Sequence, residues 1–398
     1  MGAPRFGARA SAGNSLDDIA EVVSEAHAWH VKVYVTLNSL LHDEELPEAT
    51  ALAWDLWALG VDALIVQDMG LTTCDLPPIP LHASTQTNNR SLEKVQFLEK
   101  AGFSQVVLAR ELSIDQISEI AEQTNVTLEV FIHGALCVSY SGQCYLSHAL
   151  GGRSANRGEC AQSCRLPYDV LAEDGTTLLK QKHVLSLRDL NATEYLEALL
   201  DAGVTSFKIE GRLKDAGYVA NVTAWYHQAL NRLLEQRPMC QRSSMGQVNL
   251  AFTPDVYKSF NRGFTTYFLG TRAPMNNRDT PKSLGEPVGT VRRVHKDRLE
   301  LLLKAPLTNG DGLSFLGSDG VFAGFRVNRV EGTTVYPATM PAIKEGSRLF
   351  RTFDQAFDKQ LERRETRRVL PVQWLCWETP DGFALELSDC HGHKAVKR

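Results

Sequence analysis

The sequence predicts an α/β fold: a (β/α)8 TIM-type barrel lacking its first strands, followed by a small β-barrel or sandwich domain. Three observations carry that reading. Short apolar strands alternate with amphipathic helices through residues 1–235 of the 398. The strands recur at roughly the 30-residue period of parallel βαβ units. From about Gly285 the pattern changes to short alternating strands with Asn309-Gly310 and Asp311-Gly312 turns, the signature of hairpins.

Taken in order, residues 17–30 read as a helix capped by Ser15 or Asn14, and 32–38 as a buried strand. A helix over 43–59 stops at Gly60, and strands follow at 62–68 and 79–85. Next come a helix over 92–100 ending at Gly102, a strand at 104–110, a helix at 113–124 and a strand at 126–134. Beyond a cysteine-rich insertion (134–166) lie a helix at 192–203, a strand at 204–211 and a long helix from 215 to 235. That gives six strands where a closed barrel has eight. The opening GAPRFGARA reads as a loop leaving an absent strand, so about two strands and a helix are expected upstream; the alternative is a complete open six-stranded sheet. An incomplete barrel exposes strand edges and apolar surface, and is expected to be poorly soluble or to pair through the gap. Residues 236–284 form a turn-rich connector, 285–350 the small β domain, and 351–398 a polar helix plus the start of a further, truncated domain with a Pro-Asp-Gly hairpin turn.

Hydrophobic content of 43% and charged content of 22% are those of a soluble globular protein. No apolar run reaches the roughly 20 residues that span a bilayer. The N-terminus has no apolar signal-peptide region, and Phe6 and Gly7 stand where a myristoylation signal needs Ser or Thr. These features predict a cytoplasmic protein with no membrane partner. A net charge of −5 argues against a broad nucleic-acid-binding face. It leaves room for local basic patches at Arg153, Arg157 and Arg165, while LERRETRR (361–368) reads as a solvated helix face.

Four of the eight cysteines, Cys137, Cys144, Cys160 and Cys164, fall directly after the strand LEVFIHG. In a reducing compartment such clustering points to metal or redox chemistry more than to disulfides. Structural zinc usually shows paired C-x2-C knuckles, which are absent, whereas an iron–sulfur cluster tolerates uneven spacing. Cys74, Cys376 and Cys390 lie in turns or in the far domain and look incidental.

Barrel enzymes carry their chemistry at the C-terminal ends of strands. Here those ends hold Asn38, Gln67 with Asp68, Gln86, Arg110, His133, and Lys208, Glu210 and Arg212 of KIEGR. KIEGR reads either as an ion-paired strand end or as a clamp for a carboxylate or phosphate. On the clamp reading Lys208, Glu210, Arg212 and His133 are the catalytic candidates. Arg153, Arg157, Asn38 and Gln86 are the substrate-binding candidates. There is no G-x-S-x-G, H-E-x-x-H, Walker loop or post-strand G-x-G-x-x-G.

At these residues the chain resembles a known family. Glu129-Val-Phe131-Ile-His-Gly134-Ala-Leu-Cys137, with Ser141-Gly142-Gln-Cys144 and Ser147, is similar to the signature of the collagenase-like peptidase U-32 family. ECAQSCRLPY (159–168), FKIEGRLK (207–214) and FNRGFT (260–265) extend the likeness over nearly the whole chain. GARASAGNS, GFRVNRVEG and LFRTFDQAF resemble the ribosomal-RNA 5-hydroxycytidine synthase branch. The resemblance implies an RNA hydroxylase with a 4Fe-4S cluster, ribosomal RNA or a precursor as partner, and the dicarboxylate prephenate as hydroxyl source. Related branches imply tRNA uridine or ubiquinone hydroxylation, and the family name implies a peptidase; a non-catalytic RNA-binding protein is a further class. Cys137, Cys144 and Cys160 match the family pattern. The fourth ligand is left between Cys164 and Cys240, since in that branch a cysteine is common about where Val248 stands.

Overall fold

The computed structural model describes residues 1–8, 12–271, 273–363, 365–389 and 392–397; Cys390 lies outside them. Helix α1 (Leu16–His27) leads into strand β1 (Tyr34–Leu37). Then come α2 (Leu46–Ala58), β2 (Ala63–Val66), β3 (Leu81–Ala83), α3 (Leu92–Lys100), β4 (Gln105–Val107), α4 (Ile114–Glu122) and β5 (Thr127–Ala135). The five strands are neighbours in chain order and all parallel. They are short apolar runs because both faces are covered; every residue of β2 is buried. The helices begin where the sequence supplies caps. Ser15 and Asp18 form a reciprocal capping box at α1, and Ser113 and Gln116 do so at α4. Except at the C-terminal end of β5, the predicted strands run past the observed ladders by a residue or more; flanking residues such as Asp62, Ser84 and Leu108 still make single backbone hydrogen bonds to the neighbouring strand or its end.

After β5 the chain forms α5 (Leu146–Gly151), the hairpin β6 (Tyr168–Leu171) and β7 (Thr177–Lys182), and β8 (Asp189–Asn191). It then makes α6 (Leu196–Asp201), β9 (Ser206–Ile209) and α7 (Ala216–Glu235). β5 has nine residues and three partners, with β4 along Thr127 to Glu129. Glu129 to His133 pair parallel with β9, and His133 to Ala135 pair antiparallel with β8. The connector supplies β10 (Gln247–Asn249) and β11 (Phe264–Thr265), which extends the sheet beside β8.

Six parallel strands in the order β1-β2-β3-β4-β5-β9 therefore match the six read from the sequence. An eight-membered parallel ring is not formed among the described residues, where β9 pairs only with β5. No local pattern announced that an antiparallel β8 would share the edge of β5. On the far side of β1, Gly2 bridges Thr36 in parallel. Arg212, just past β9, donates to Thr36 Oγ1 at 2.8 Å, so a side chain rather than a ladder links the first and last parallel strands. The core lies between sheet and helices, with Val35, Leu64, Val106 and Leu128 against Ile19, Leu56, Leu98, Ile117 and Val222.

The second unit is a closed antiparallel barrel. Its strands are β12 (Glu286–Val294), β13 (Leu299–Leu303), β14 (Gly312–Leu316), β15 (Phe322–Glu331), β16 (Thr334–Pro337) and β17 (Arg348–Phe353). They close in the order β12-β13-β16-β15-β14-β17 around Val288, Leu301, Phe315, Val327 and Leu349. Closure removes the free edges that such short strands would otherwise expose. Helix α8 (Gln355–Glu362) follows, and β18 (Arg367–Val369) pairs with β10. A three-stranded antiparallel sheet of β19 (Val372–Thr379), β20 (Gly382–Asp389) and β21 (Lys394–Lys397) comes last.

An ion cluster joins the barrel to the connector. Arg351 contacts Glu286 at 2.6 Å, Asp354 at 3.2 Å and Asp311 at 3.3 Å, and Lys258 reaches Asp354 at 2.8 Å. Burial works to raise the Asp354 pKa, but Lys258, the Phe357 amide and Arg351 outweigh it and hold the carboxyl below its usual range. Arg351→Met removes the cation and leaves the wholly buried Asp311 with neutral donors only, from Thr308 and Gln355. The expected loss is about 3–5 kcal/mol of stability, read as a lower urea midpoint at unchanged slope. A shift equivalent to less than about 1 kcal/mol, the scale of an exposed pair, would show that the cluster is solvated.

Candidate active site

Polar residues at the carboxyl ends of the parallel strands converge on one cavity of about 820 Å³. Asn38 enters from the end of β1, Gln86 from beyond β3, Arg110 from beyond β4, and Lys208, Glu210 and Arg212 from β9. Cys137, Cys144 and Cys160 line the same space. The strand-end reading and the cysteine reading thus meet in one place.

Two glycines of the motif allow this approach. Gly134 has φ of 104°, and a Cβ there would collide with the Glu210 carbonyl oxygen. Gly142 has φ of 75°, and its Cβ would overlap the Gln86 carbonyl. Each position needs both a left-handed backbone and no side chain. The loop between them is fastened by Glu111, which accepts the Ser141 amide at 2.8 Å and the Ser141 hydroxyl at 3.1 Å.

The thiols separate into two groups. Cys164 does not line the cavity but lies within electrostatic reach of the other three. Burial pushes its thiol up, adjacent Arg165 pulls it down, and Cys137, Cys160 and Cys144 push it further up. Arg165 pins this end of the insertion by donating to Ser186 Oγ at 2.9 Å and to the Leu136 carbonyl at 3.0 Å. Cys240 stands apart. Helix α7 starts at the cavity rim, where Tyr218 donates to the Glu210 carbonyl at 3.2 Å. Its 20 residues carry the chain about 30 Å away before Cys240 appears, exposed, beyond Glu235. Among the described residues no three His, Cys, Asp or Glu side chains converge tightly enough to hold a single metal ion.

KIEGR is both ion-paired and cavity-facing. Lys208 Nζ lies 2.6 Å from Glu129, a buried carboxylate that also accepts from Gln105 and, at 3.0 Å, from Ser206. Glu210 takes the Arg212 amide at 3.1 Å and the Arg110 guanidinium at 3.4 Å. Arg212 faces the cavity that the cysteines line, as a clamp requires.

Other candidates are placed differently. His133 is 1% exposed and does not line the cavity. A register shift between Phe131 and His133 in the β5–β9 pairing turns it toward α7, where Nδ1 meets the Tyr226 hydroxyl at 3.2 Å. Burial, aided by Lys214, lowers its pKa to about 4, so it is a neutral core imidazole. Arg157 does not line the cavity either. It grips Glu45 with two bonds of 2.8 and 2.9 Å and the Leu40 carbonyl at 2.8 Å, which binds the insertion to the segment after β1. That pair, with the His42 amide, draws the Glu45 pKa down to about 2. Arg153 is exposed and donates to the Glu159 carbonyl at 3.1 Å. Asn38 does line the cavity, accepting from the Ala8 amide at 2.9 Å and donating to Ser84 at 3.0 Å. Gln86 lines it too, its carbonyl accepting from Gln67 at 3.3 Å. The sequence placed Arg110 at a strand end without a role; what it could not show is the stacking of the guanidinium on Phe131, 3.7 Å from the ring centroid.

Fold and cavity together define an α/β protein with a cationic, thiol-lined site at its strand ends. The chain matches Peptidase family U32 over residues 1–279 and belongs to that family. It is 50% identical over 382 residues to the 23S rRNA 5-hydroxycytidine C2501 synthase of Escherichia coli (strain K12), an alignment covering 94% of this chain and 58% of that protein. The chain thus spans less than two thirds of that relative's length. It is 31% identical to tRNA hydroxylation protein P1 of Bacillus subtilis (strain 168), over 80% of this chain and 78% of that one. It is also 31% identical to a collagenase of Porphyromonas gingivalis (strain ATCC BAA-308 / W83), over 67% and 66%.

The close approach at Gly142 can be measured against a glycine in open space. Gly102 also has positive φ but nothing within 4 Å of an added methyl, so Gly102→Ala is expected to cost about 1 kcal/mol from backbone strain alone. Gly142→Ala adds the collision with Gln86 and should cost about 1–3 kcal/mol more. Equal urea midpoints for the two variants would refute the close-approach argument. Acid probes the buried imidazoles. His133 and His82 each titrate near 4 because burial disfavours the charged ring, with Glu129 opposing the shift at His82. The unfolded chain, with histidines near 6.5, binds more protons between those values. Stability should therefore be full above about pH 6.5 and fall as pH drops toward 4. The His133→Gln variant should show a shallower fall in urea titrations across that window.

Proposed function

We propose that this chain is an RNA-modifying enzyme that hydroxylates cytidine to 5-hydroxycytidine in ribosomal RNA or a precursor. It would use an iron–sulfur cluster and take the hydroxyl from the dicarboxylate prephenate. The observation that carries the reading is the 50% identity to the E. coli synthase over 94% of this chain. It is supported by the meeting of the motif cysteines and the KIEGR charges in one cavity. On this reading the six parallel strands are the larger part of a (β/α)8 barrel, and the site is at its C-terminal rim. Cytoplasmic placement follows from the RNA substrate, and no described helix is long and apolar enough to cross a membrane.

The donor set fits a cluster. Soft thiolates suit iron–sulfur centres, and Cys137, Cys144, Cys160 and Cys164 are free thiols within reach of one another. Cys164 is the better fourth ligand, because α7 carries Cys240 away. The Gln162 amide already donates to Cys160 Sγ at 3.4 Å, the kind of sulfur hydrogen bond that tunes such centres. When bound, a 4Fe-4S cluster would supply one-electron and Lewis-acid chemistry beside the substrate.

The chain's own residues would bind and orient. Arg212 and Lys208 set positive charge against an anionic co-substrate, and Glu129 holds the Lys208 ammonium in place. Asn38 and Gln86 border the cavity with amide groups able to hold a base edge. The overall charge of −5 means that RNA contacts must be local rather than spread over a basic face. The peptidase reading rests on the relative named collagenase; among the described residues no histidine lines the cavity, His133 being turned away, and the Ser141 hydroxyl is engaged with Glu111 in fastening the loop.

The test is nucleoside mass spectrometry of ribosomal RNA from a deletion strain. 5-Hydroxycytidine should vanish, return with the wild-type gene, and stay absent with Cys137→Ala. An unchanged level in the deletion strain overturns the function. Anaerobic purification should give brown protein with on the order of four irons per chain; colourless protein with stoichiometric zinc overturns the cluster.

A further inference from the structure

The three cationic side chains of the cavity are not equally committed. Lys208 is bound to Glu129 at 2.6 Å. Arg212 is bound to Thr36 at 2.8 Å. Arg110 is different. A guanidinium has five N–H donors, and among the described residues this one makes a single hydrogen bond, to Glu210 Oε2 at 3.4 Å. Good charge-assisted pairs lie near 2.7–2.9 Å. The chain can build such a pair, as Arg157 and Glu45 show with two bonds of 2.8 and 2.9 Å. Arg110 is also largely withdrawn from water, its side chain 14% exposed. Its plane is fixed over Phe131 at 3.7 Å, a contact that uses no donor. It is therefore oriented, desolvated and under-used.

We propose that Arg110 is the specificity-determining carboxylate receptor of this cavity, and that Glu210 is an internal stand-in which a substrate carboxylate displaces. The proposal rests on the small-dicarboxylate reading above and assigns it a residue. Arg110 follows β4 and Arg212 follows β9, and both strands flank β5. Two strand spacings set their backbones about 10 Å apart, and both side chains enter the same cavity. A molecule with two carboxylates can therefore meet both forks at once. Glu210 keeps its second anchor, the Arg212 amide, so it can release Arg110 without leaving the site.

Titration calorimetry of prephenate into the cluster-loaded chain tests this, with iron content and melting temperature as controls for folding. Arg110→Ala should weaken binding about 10- to 100-fold, the scale of one lost charge-assisted contact. Arg110→Lys should weaken it nearly as much, since Lys lacks the planar fork, and it carries the test if the alanine variant fails to fold. Glu210→Gln should tighten binding several-fold, because a weaker competitor then faces Arg110, and should do nothing in the Arg110→Ala background. A structural pair would behave otherwise. Weaker binding in Glu210→Gln, or unchanged binding in Arg110→Lys, overturns the proposal. Wild-type binding that ignores Arg110 sinks this inference alone, whereas no binding by the wild type sinks the prephenate reading with it.

Discussion

Strand β5 must serve three partners, parallel β4 and β9 and antiparallel β8, and the rest of the site depends on how it does so. Its first half needs a parallel neighbour to bury Val130 and bring Lys208 beside Glu129. Its last three residues take β8 in the opposite sense. The β9 pairing breaks register between Phe131 and His133, and His133 is the residue paired with both β9 and β8. Phe131 is left facing the cavity beneath Arg110, while His133 turns into the layer under α7. Gly134 then passes against the Glu210 backbone, and the chain enters the cysteine loop already committed to the rim. One bulge thus sets which side chains reach the chemistry.

Burial explains why the site is charged in pairs. Glu129 is 5% exposed, and an isolated carboxylate there would be strongly penalised. Lys208, Gln105 and Ser206 satisfy it, so the floor of the cavity is a neutralised pair that still presents an ammonium to the space above. The same logic governs the small barrel, where Arg351 is surrounded by three carboxylates. Neither arrangement is strong evidence for stability, because desolvation consumes much of the Coulomb gain. Both fix geometry, which is what a site needs.

The parts of this protein legible in its sequence are those set by local pattern. Six parallel strands, the cap at Ser15, and the turn to short strands beyond Gly285 follow from periodicity and turn chemistry. The convergence of cysteines and KIEGR was legible because strand ends of one sheet share a rim. What was not legible depends on long-range register. Nothing local marks Asp189–Asn191 as an antiparallel partner for β5, and a one-residue shift decides whether His133 faces ligand or core. Arg153 and Arg157 sit among the cysteines in sequence, yet their partners, Glu159 and Glu45, hold them away from the cavity lining. Cys240 was a fair candidate by residue type, and only the length and direction of α7 set it aside.

Arginine shows how one residue type is divided between structure and function in the same fold. Arg157, Arg165 and Arg351 each make several hydrogen bonds to carboxylates, hydroxyls or carbonyls and hold one segment to another. Such a residue has little capacity left for a ligand. Arg110 has the opposite profile: a stacked plane, one long contact, and a position over the cavity. Stacking orients a guanidinium without occupying its donors, so Phe131 does for Arg110 what Glu45 does for Arg157, while leaving the fork open. The distinction lies in how much of each donor set the fold has already consumed, and it separates the binding arginine from the structural ones where sequence position, charge and burial do not.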